Sequence, residues 1–370
     1  MTIDVPLDGY HYYPALRSRR AELEGLRELD MHRKRMILPI ITLGEWPKAL
    51  HFEQSLEAAS DAMQDLPFIV DLTTDRSRLP DLREALTDGS NGFKAWRQFC
   101  SGVPHAIPTV LITETSRTRD VIRQATEIEA ATGKVAFRIR DFMAETPKVI
   151  AALCALETPT NAIIFIDCQY IRNGVAAFAT AAVATINAIR SEFPESIISI
   201  LSTSFPASTL PFFGPDGESG SIEILEQDLF SRIGGRSVAI YGDHASIHSV
   251  VYDDIPGGIR RWSPRIDFPT YRTWQLERRR SDDNAAGYSA AARTIVDQHP
   301  DILSSTVWGD QKIVQAANGD VHAKGPAKWI AVRVNIHLAR QIDRTADHAI
   351  AGGPNEIGGG EDTEDFDEDI

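Results

Sequence analysis

At 370 residues, 43% hydrophobic and 24% charged, the chain has the composition of a soluble globular protein large enough for one α/β barrel domain. No run approaches the ~18 uninterrupted apolar residues that a bilayer crossing needs, and MTIDVPLDGYHYYP lacks a signal-peptide pattern; a cytoplasmic, membrane-free protein is expected. The net charge of −14 argues against direct nucleic-acid binding, because acidity repels phosphates.

Half of that charge sits in one place. Seven carboxylates fall in residues 361–370, so residues 1–360 carry −7. Like charge at this density, following Gly358-Gly359-Gly360, cannot pack, and residues 346–370 are expected to form a disordered acidic tail. Such a tail solubilises, engages a basic partner surface, or mimics nucleic-acid charge. Cys100, Cys154 and Cys168 have no CxxC spacing and apolar neighbours, so buried free thiols are expected.

In chain order, Leu16, Leu23, Leu26 and Leu29 step at helical spacing between Pro14 and Asp30, which predicts an amphipathic helix able to cap a barrel bottom. Apolar strands follow at Ile37–Thr42, Pro67–Thr73, Ile107–Thr113 and Lys134–Arg140. Helices are predicted between and after them at Pro47–Met63, up to Cys100, at Thr118–Ala131 and at Pro147–Leu156, where Pro147 suits a first turn. The fifth strand, Asn161–Tyr170, precedes the clearest helix, Gly174–Phe193. Strand Ser196–Thr203 leads through a loop at Phe205–Gly220 to a helix marked by Ile222, Leu225, Leu229 and Ile233. Strand Ser237–Gly242 comes next, and the alternation of Thr270–Glu277 supplies an eighth. Asp243–Pro264 reads as loop or as a hairpin through His248–Tyr252. Beyond Asp282 come a helix Ala285–His299, a short strand or turn at Val307–Val314, and a last helix Ala327–Ile342.

Apolar strands that each precede an amphipathic helix imply parallel pairing with both faces covered. The predicted fold is a TIM-like (β/α)8 barrel over residues 37–300. An N-terminal segment occupies 1–36, and a C-terminal strand or turn and helix at 301–345 pack on the barrel wall. The competing doubly wound open sheet should carry a Gly-rich turn after its first strand, and LGEWPK is not one.

In a barrel the chemistry collects at the carboxyl ends of the strands. Asp71, Asp167 and Asp243 end three apolar strands and are the candidate catalytic carboxylates, as acid and base or around a divalent cation. Arg138 and Arg140 share one face of the fourth strand and complete the catalytic set, or else neutralise the aspartates in a buried network. Glu114, Tyr241, His244, Gln275 and Arg278 are candidate binding residues at other strand ends. His244 and His248 are spaced i, i+4 but lack a third ligand, so neither metal nor cofactor is assigned. Ser202 and Ser204 lack the G-x-S-x-G setting of an esterase nucleophile.

Three groups of residues carry a family resemblance. They are Tyr12-Tyr13-Pro14-Ala15-Leu16 with Ile37-Leu38-Pro39; Tyr241-Gly242-Asp243-His244 with Arg272-x-Trp274 and Arg278; and Trp308-Gly309-Asp310-Gln311 with Trp329 and His337. Across most of residues 10–342 the chain resembles the T4-type beta protein family of phages and bacteria. His244 stands where that family often has tyrosine, and Arg278-Arg279-Arg280 where arginine-glycine is common. The resemblance implies an origin in phages, prophages or defence-like gene clusters, and no particular reaction. The expected function is a phage- or defence-associated interaction module with a protein partner. The alternative is a hydrolase or phosphodiesterase-like enzyme working at the barrel mouth, and a nucleic-acid mimic is a third reading.

Overall fold

Eight strands run parallel in a ring: β1 (Tyr13–Arg17), β2 (Ile40–Leu43), β3 (Phe68–Leu72), β4 (Ala106–Pro108), β5 (Val135–Ile139), β6 (Ala162–Tyr170), β7 (Ile197–Thr203) and β9 (Ile240–Asp243). Between β7 and β9 the chain makes β8 (Ser219–Glu223), which pairs antiparallel with β11 (Thr273–Arg278), itself paired with β10 (Arg265–Pro269). This computed structural model describes residues 3, 5–44, 51–75, 83–250 and 263–351. The ring order is β4-β3-β2-β1-β9-β7-β6-β5, closed where Thr109 bridges Ala136 and the Val110 N–H donates to the Ala136 carbonyl at 2.8 Å. The fold is a TIM-like α/β barrel.

Alternation along each strand builds the interior in layers. Tyr13, Ala15, Ile40, Ile69, Ile163 and Leu201 belong to one buried apolar cluster, which Leu7 and Ile3 of the N-terminal chain join. The next inward positions toward the carboxyl ends are polar: Thr42, Asp71, Arg138 and Asp167. Gly242 faces the interior beside β1. A Cβ there would lie 2.5 Å from the Tyr13 carbonyl oxygen and 2.7 Å from Leu201, so only glycine fits.

Outward faces pack against helices. The helix Pro326–Ala351 sends Val334, Leu338 and Ile342 into the cluster that holds Leu16, Leu23, Leu26 and Tyr241, and so covers the wall at β1 and β9. Its other contacts, through Trp329, Val332 and Ile336, join Tyr288, Ile295, Ile313, Ile266 and Phe268 in a separate core beneath the second sheet.

The structure moves several expected boundaries. Tyr13–Arg17 is the first barrel strand, so Leu16 belongs to a strand and the helix is shortened to Arg20–Arg27. Inward Tyr13 and Ala15 alternate with outward Tyr12 and Leu16, a period of two that a leucine spacing of seven conceals. That helix lies on the wall, with Gly25 against Ala331, and the bottom is filled by Leu7 and Ile3 instead. Thr270–Glu277 is no barrel strand: its alternation belongs to β11, at the centre of the antiparallel sheet. Ile222 falls in β8, and the helix after it is Glu226–Arg232. The helix expected to begin at Pro147 starts at Phe142, because Asp141 caps it by accepting from the Met143 and Ala144 amides. The stretch Val307–Val314 is helical from Trp308, in the helix Trp308–Ala317. Cys154 is exposed, whereas Cys100 and Cys168 are buried. The acidic run at 361–370 and residues 251–252 of the expected hairpin lie outside the described residues.

Candidate functional site at the barrel mouth

Arg138 occupies the centre of the polar layer. Its Nη1 donates to Asp71 Oδ2 at 2.8 Å and to Thr42 Oγ1 at 2.8 Å. Its Nε and Nη2 both donate to Asp167 Oδ2, at 3.0 and 2.7 Å. Asp71 accepts further from Thr109 Oγ1 at 3.0 Å and from Arg140 Nη2. Burial pushes the Asp71 carboxyl upward, but the Arg140 and Arg138 guanidiniums outweigh it and hold the group below its ordinary value. Every nitrogen of Arg138 is engaged. It is a bridge between two carboxylates.

Asp167 has a second face. Its Oδ1 meets His244 Nε2 at 2.9 Å and accepts from the Gln169 amide at 2.9 Å. Burial again raises the carboxyl, and His244 and Arg138 together bring it far below its usual range. The local backbone makes this contact possible. Gln169 has φ 53° where the β6–β7 register shifts between Asp167 and Tyr170, and Ala245 and Ser246 have φ 49° and 66° directly after His244. Left-handed conformations of this kind cost energy for a residue with a Cβ and gather at functional sites.

The network is paired yet open to solvent. A cavity of about 550 Å³ is lined by Asp71, Arg138, Arg140, Glu114, Lys148 and Gln169. A second, of about 420 Å³, shares Arg138, Arg140 and Gln169 with it and adds Asp167, His244 and Arg17. Arg140 is the accessible cation, its side chain 23% exposed against 6% for Arg138.

Not every expected residue reaches this place. Asp243 projects from the outer face of β9 and accepts from Tyr12 Oη, from Tyr241 Oη at 3.0 Å and from the Ala245 amide at 2.7 Å, and it contacts His337 Nε2 at 2.9 Å. Strand alternation is the reason: Gly242 and His244 take the inward direction, so Tyr241 and Asp243 face the helix Pro326–Ala351. Burial raises the Asp243 carboxyl, and His337, Tyr12 and the Ala245 amide overcome it and lower it. Gln275 is in the second sheet, its Oε1 2.7 Å from His299 Nε2. Arg278 ends β11, stacked 4.3 Å over the Phe213 ring and bonded to the Gly217 carbonyl. Neither lines the two mouth cavities.

The convergent set is therefore Asp71, Asp167, Arg138, Arg140 and His244, with Glu114 on the rim. Thr109 has no charge to single it out within an apolar run, and Arg17, which a helical spacing assigns to a solvated face, ends β1 at the mouth. Among the described residues no group of three or more His, Cys, Asp or Glu is placed to hold a metal ion. Arg138 stands between Asp71 and Asp167, and His248 packs its ring 4.7 Å from that of Tyr170.

A sequence model of the beta protein family matches residues 12–343. The chain belongs to the beta protein family. It is also similar to "Protein beta" of Enterobacteria phage P4, 45% identical over 340 residues that cover 92% of this chain and 95% of the relative. Tyr12, Tyr241, Trp274 and His337, four of the residues that suggested the beta protein family, meet around Asp243, behind the mouth. Tyr12, Tyr241 and His337 bond to its carboxylate, Trp274 lies with its ring 6.0 Å from that of His337, and the Trp274 Nε1–H donates to Ser246 Oγ at 3.0 Å. That cluster fixes the segment that carries His244.

Proposed function

We propose that this beta-family chain acts at the barrel mouth on a small ligand, as a hydrolase-type enzyme in which Asp167 and His244 handle the proton. The observation that carries this reading is the 2.9 Å contact between Asp167 Oδ1 and His244 Nε2 beside an open cavity. A carboxylate that accepts from Nε2–H orients the imidazole and leaves Nδ1 as proton acceptor for a water. Arg140, with an accessible face, is suited to meet negative charge that develops on an ester or phosphodiester under attack. Turnover of p-nitrophenyl acetate, p-nitrophenyl phosphate and bis(p-nitrophenyl) phosphate tests it. At least one is expected to be cleaved, with kcat per folded molecule falling by about 10²–10⁴ in His244→Ala. No cleavage, or cleavage indifferent to His244→Ala, would remove the reading.

A second reading, a phage- or defence-associated module that binds a protein partner, is favoured by the seven carboxylates of residues 361–370. Deleting residues 358–370 should abolish capture of a basic partner in a tagged pull-down from the native host. Unchanged capture would take the tail out of the argument.

A further inference from the structure

A third cavity, of about 710 Å³, opens beside the mouth between the helices Phe142–Leu153 and Val175–Glu192. Its wall is largely apolar, built from Phe142, Met143, Tyr170, Phe178 and Val250. Met143 is 87% and Val250 49% exposed, two of the six large apolar side chains that stand exposed among the described residues. Two such side chains on one groove offer a ligand apolar area to bury.

The groove is continuous with the mouth. Gln169 and Arg140 line all three cavities. Gln169 is held at the junction by its left-handed φ of 53° and by its amide bond to Asp167, and among the described residues its carboxamide has no hydrogen-bond partner.

Two cations mark the polar end. Three carboxylates near the junction are engaged by donors, Asp71 by the two arginines, Asp141 by the Met143 and Ala144 amides and Glu145 by the Arg140 amide at 2.6 Å, while Glu114 stands on the rim of the first cavity. Arg140 keeps an exposed face, and Lys148 has no carboxylate partner among the described residues. These two cations are the partners the cleft offers a singly charged head, set against the Glu114 and Asp141 carboxylates of the same cavity.

We infer that the mouth and the groove form a single cleft for a small amphipathic anion. Its singly charged head lies by Arg140 and Lys148, its polar neck is read by the Gln169 carboxamide, and its aryl or acyl arm lies against Met143 and Phe178. This assignment rests on the mouth being the ligand site, but not on the proton-handling role of His244.

The probe is 8-anilino-1-naphthalenesulfonate, titrated by fluorescence into the full-length chain. One saturable, blue-shifted site is expected. Met143→Glu and Ala177→Glu, both at exposed positions, should weaken it by about tenfold or more, since each sets a carboxylate against the apolar arm. Arg140→Ala and Gln169→Ala should each weaken it by about threefold to tenfold. Met31→Glu and Leu303→Glu, at exposed apolar side chains that line none of the three cavities, should change nothing. Binding indifferent to Met143→Glu and Ala177→Glu overturns the cleft. Binding lost with those two but indifferent to Arg140→Ala and Gln169→Ala makes the groove a separate site and overturns the assignment. Displacement of the probe as protein concentration rises, together with dimerisation in sedimentation, assigns the groove to a second copy and overturns it as well. Loss of turnover in His244→Ala is read separately, so each idea can fail alone.

Discussion

Asp167 and His244 meet at 2.9 Å across the barrel mouth, and both chain segments enter the left-handed region within two residues of that contact. Each such residue costs on the order of 1–3 kcal/mol, so the surroundings must over-determine the bend. They do so from two sides. Toward the mouth, the Gln169 amide donates to Asp167; toward the wall, the Ala245 amide donates to Asp243 and Ser246 Oγ accepts from Trp274. Asp243 thereby positions His244 from behind, without itself facing the cavity.

Arg138 should be the residue whose loss unfolds the barrel most readily. Arg138→Leu leaves Asp71 and Asp167 buried with much of their compensation gone, and breaking a buried pair in this way costs about 3–5 kcal/mol. Urea unfolding should show a midpoint well below wild type. Arg138→Lys should recover only part of the loss, because one ammonium cannot reproduce the three-nitrogen bridge. A midpoint unchanged in Arg138→Leu would mean that the network contributes nothing to the fold.

Acid should act on stability through Asp71 and Asp167. Both carboxyls lie below their ordinary values in the folded state. Their contribution is therefore complete above the unfolded value of about 3.9 and is lost as pH falls below it through the folded value. The unfolding free-energy difference between wild type and Asp167→Asn should be constant from pH 7 to about 5 and shrink below about 4. A gap that stays constant down to pH 2 would contradict the shift.

Much of the barrel was legible because buried parallel strands write themselves as apolar runs, and β2, β3, β5, β6 and β7 were all found that way. What was hidden has physical causes. β1 begins Tyr13-Pro14 and holds no run of apolar residues like those of the other strands, and its leucine also satisfies a helical spacing with Leu23. β11 alternates as a barrel strand would, yet alternation cannot say which sheet a strand joins. Asp71, Asp167, Arg138 and Arg140 were picked out as strand-end charges and do converge. Asp243 was picked out by the same rule and faces away, because the direction of a strand-end side chain depends on register by a single residue.

Asp243→Asn gives that distinction a measurement. The carboxylate stands amid the Tyr12 and Tyr241 hydroxyls, the Ala245 amide and the His337 ring, and an amide would turn its own N–H toward one of these donors. Replacing a charged acceptor in a buried network should cost about 2–3 kcal/mol in urea unfolding. Binding of 8-anilino-1-naphthalenesulfonate per folded molecule should stay within about twofold, a few tenths of a kcal/mol. Loss of probe binding with an unchanged midpoint would place Asp243 in the site after all.

Lys34 carries a pH dependence of opposite form. The side chain is fully buried, its Nζ donating to the carbonyls of Ala62 at 3.0 Å and Arg27 at 3.1 Å and to Gln64 Oε1 at 3.2 Å. Burial pulls its pKa down to about 8. An unfolded lysine titrates near 10.4, so between those two values the unfolded chain binds more protons than the folded one, and stability rises with pH. Below about 8 both states are protonated, and the cost of burying the charge is constant. Lys34→Met removes the titration along with the three hydrogen bonds. Relative to that variant, wild type should therefore gain stability between pH 8 and about 10.4 and show a flat difference from pH 6 to 7.5. Parallel unfolding curves across the whole range would show that the folded lysine keeps its ordinary affinity for the proton.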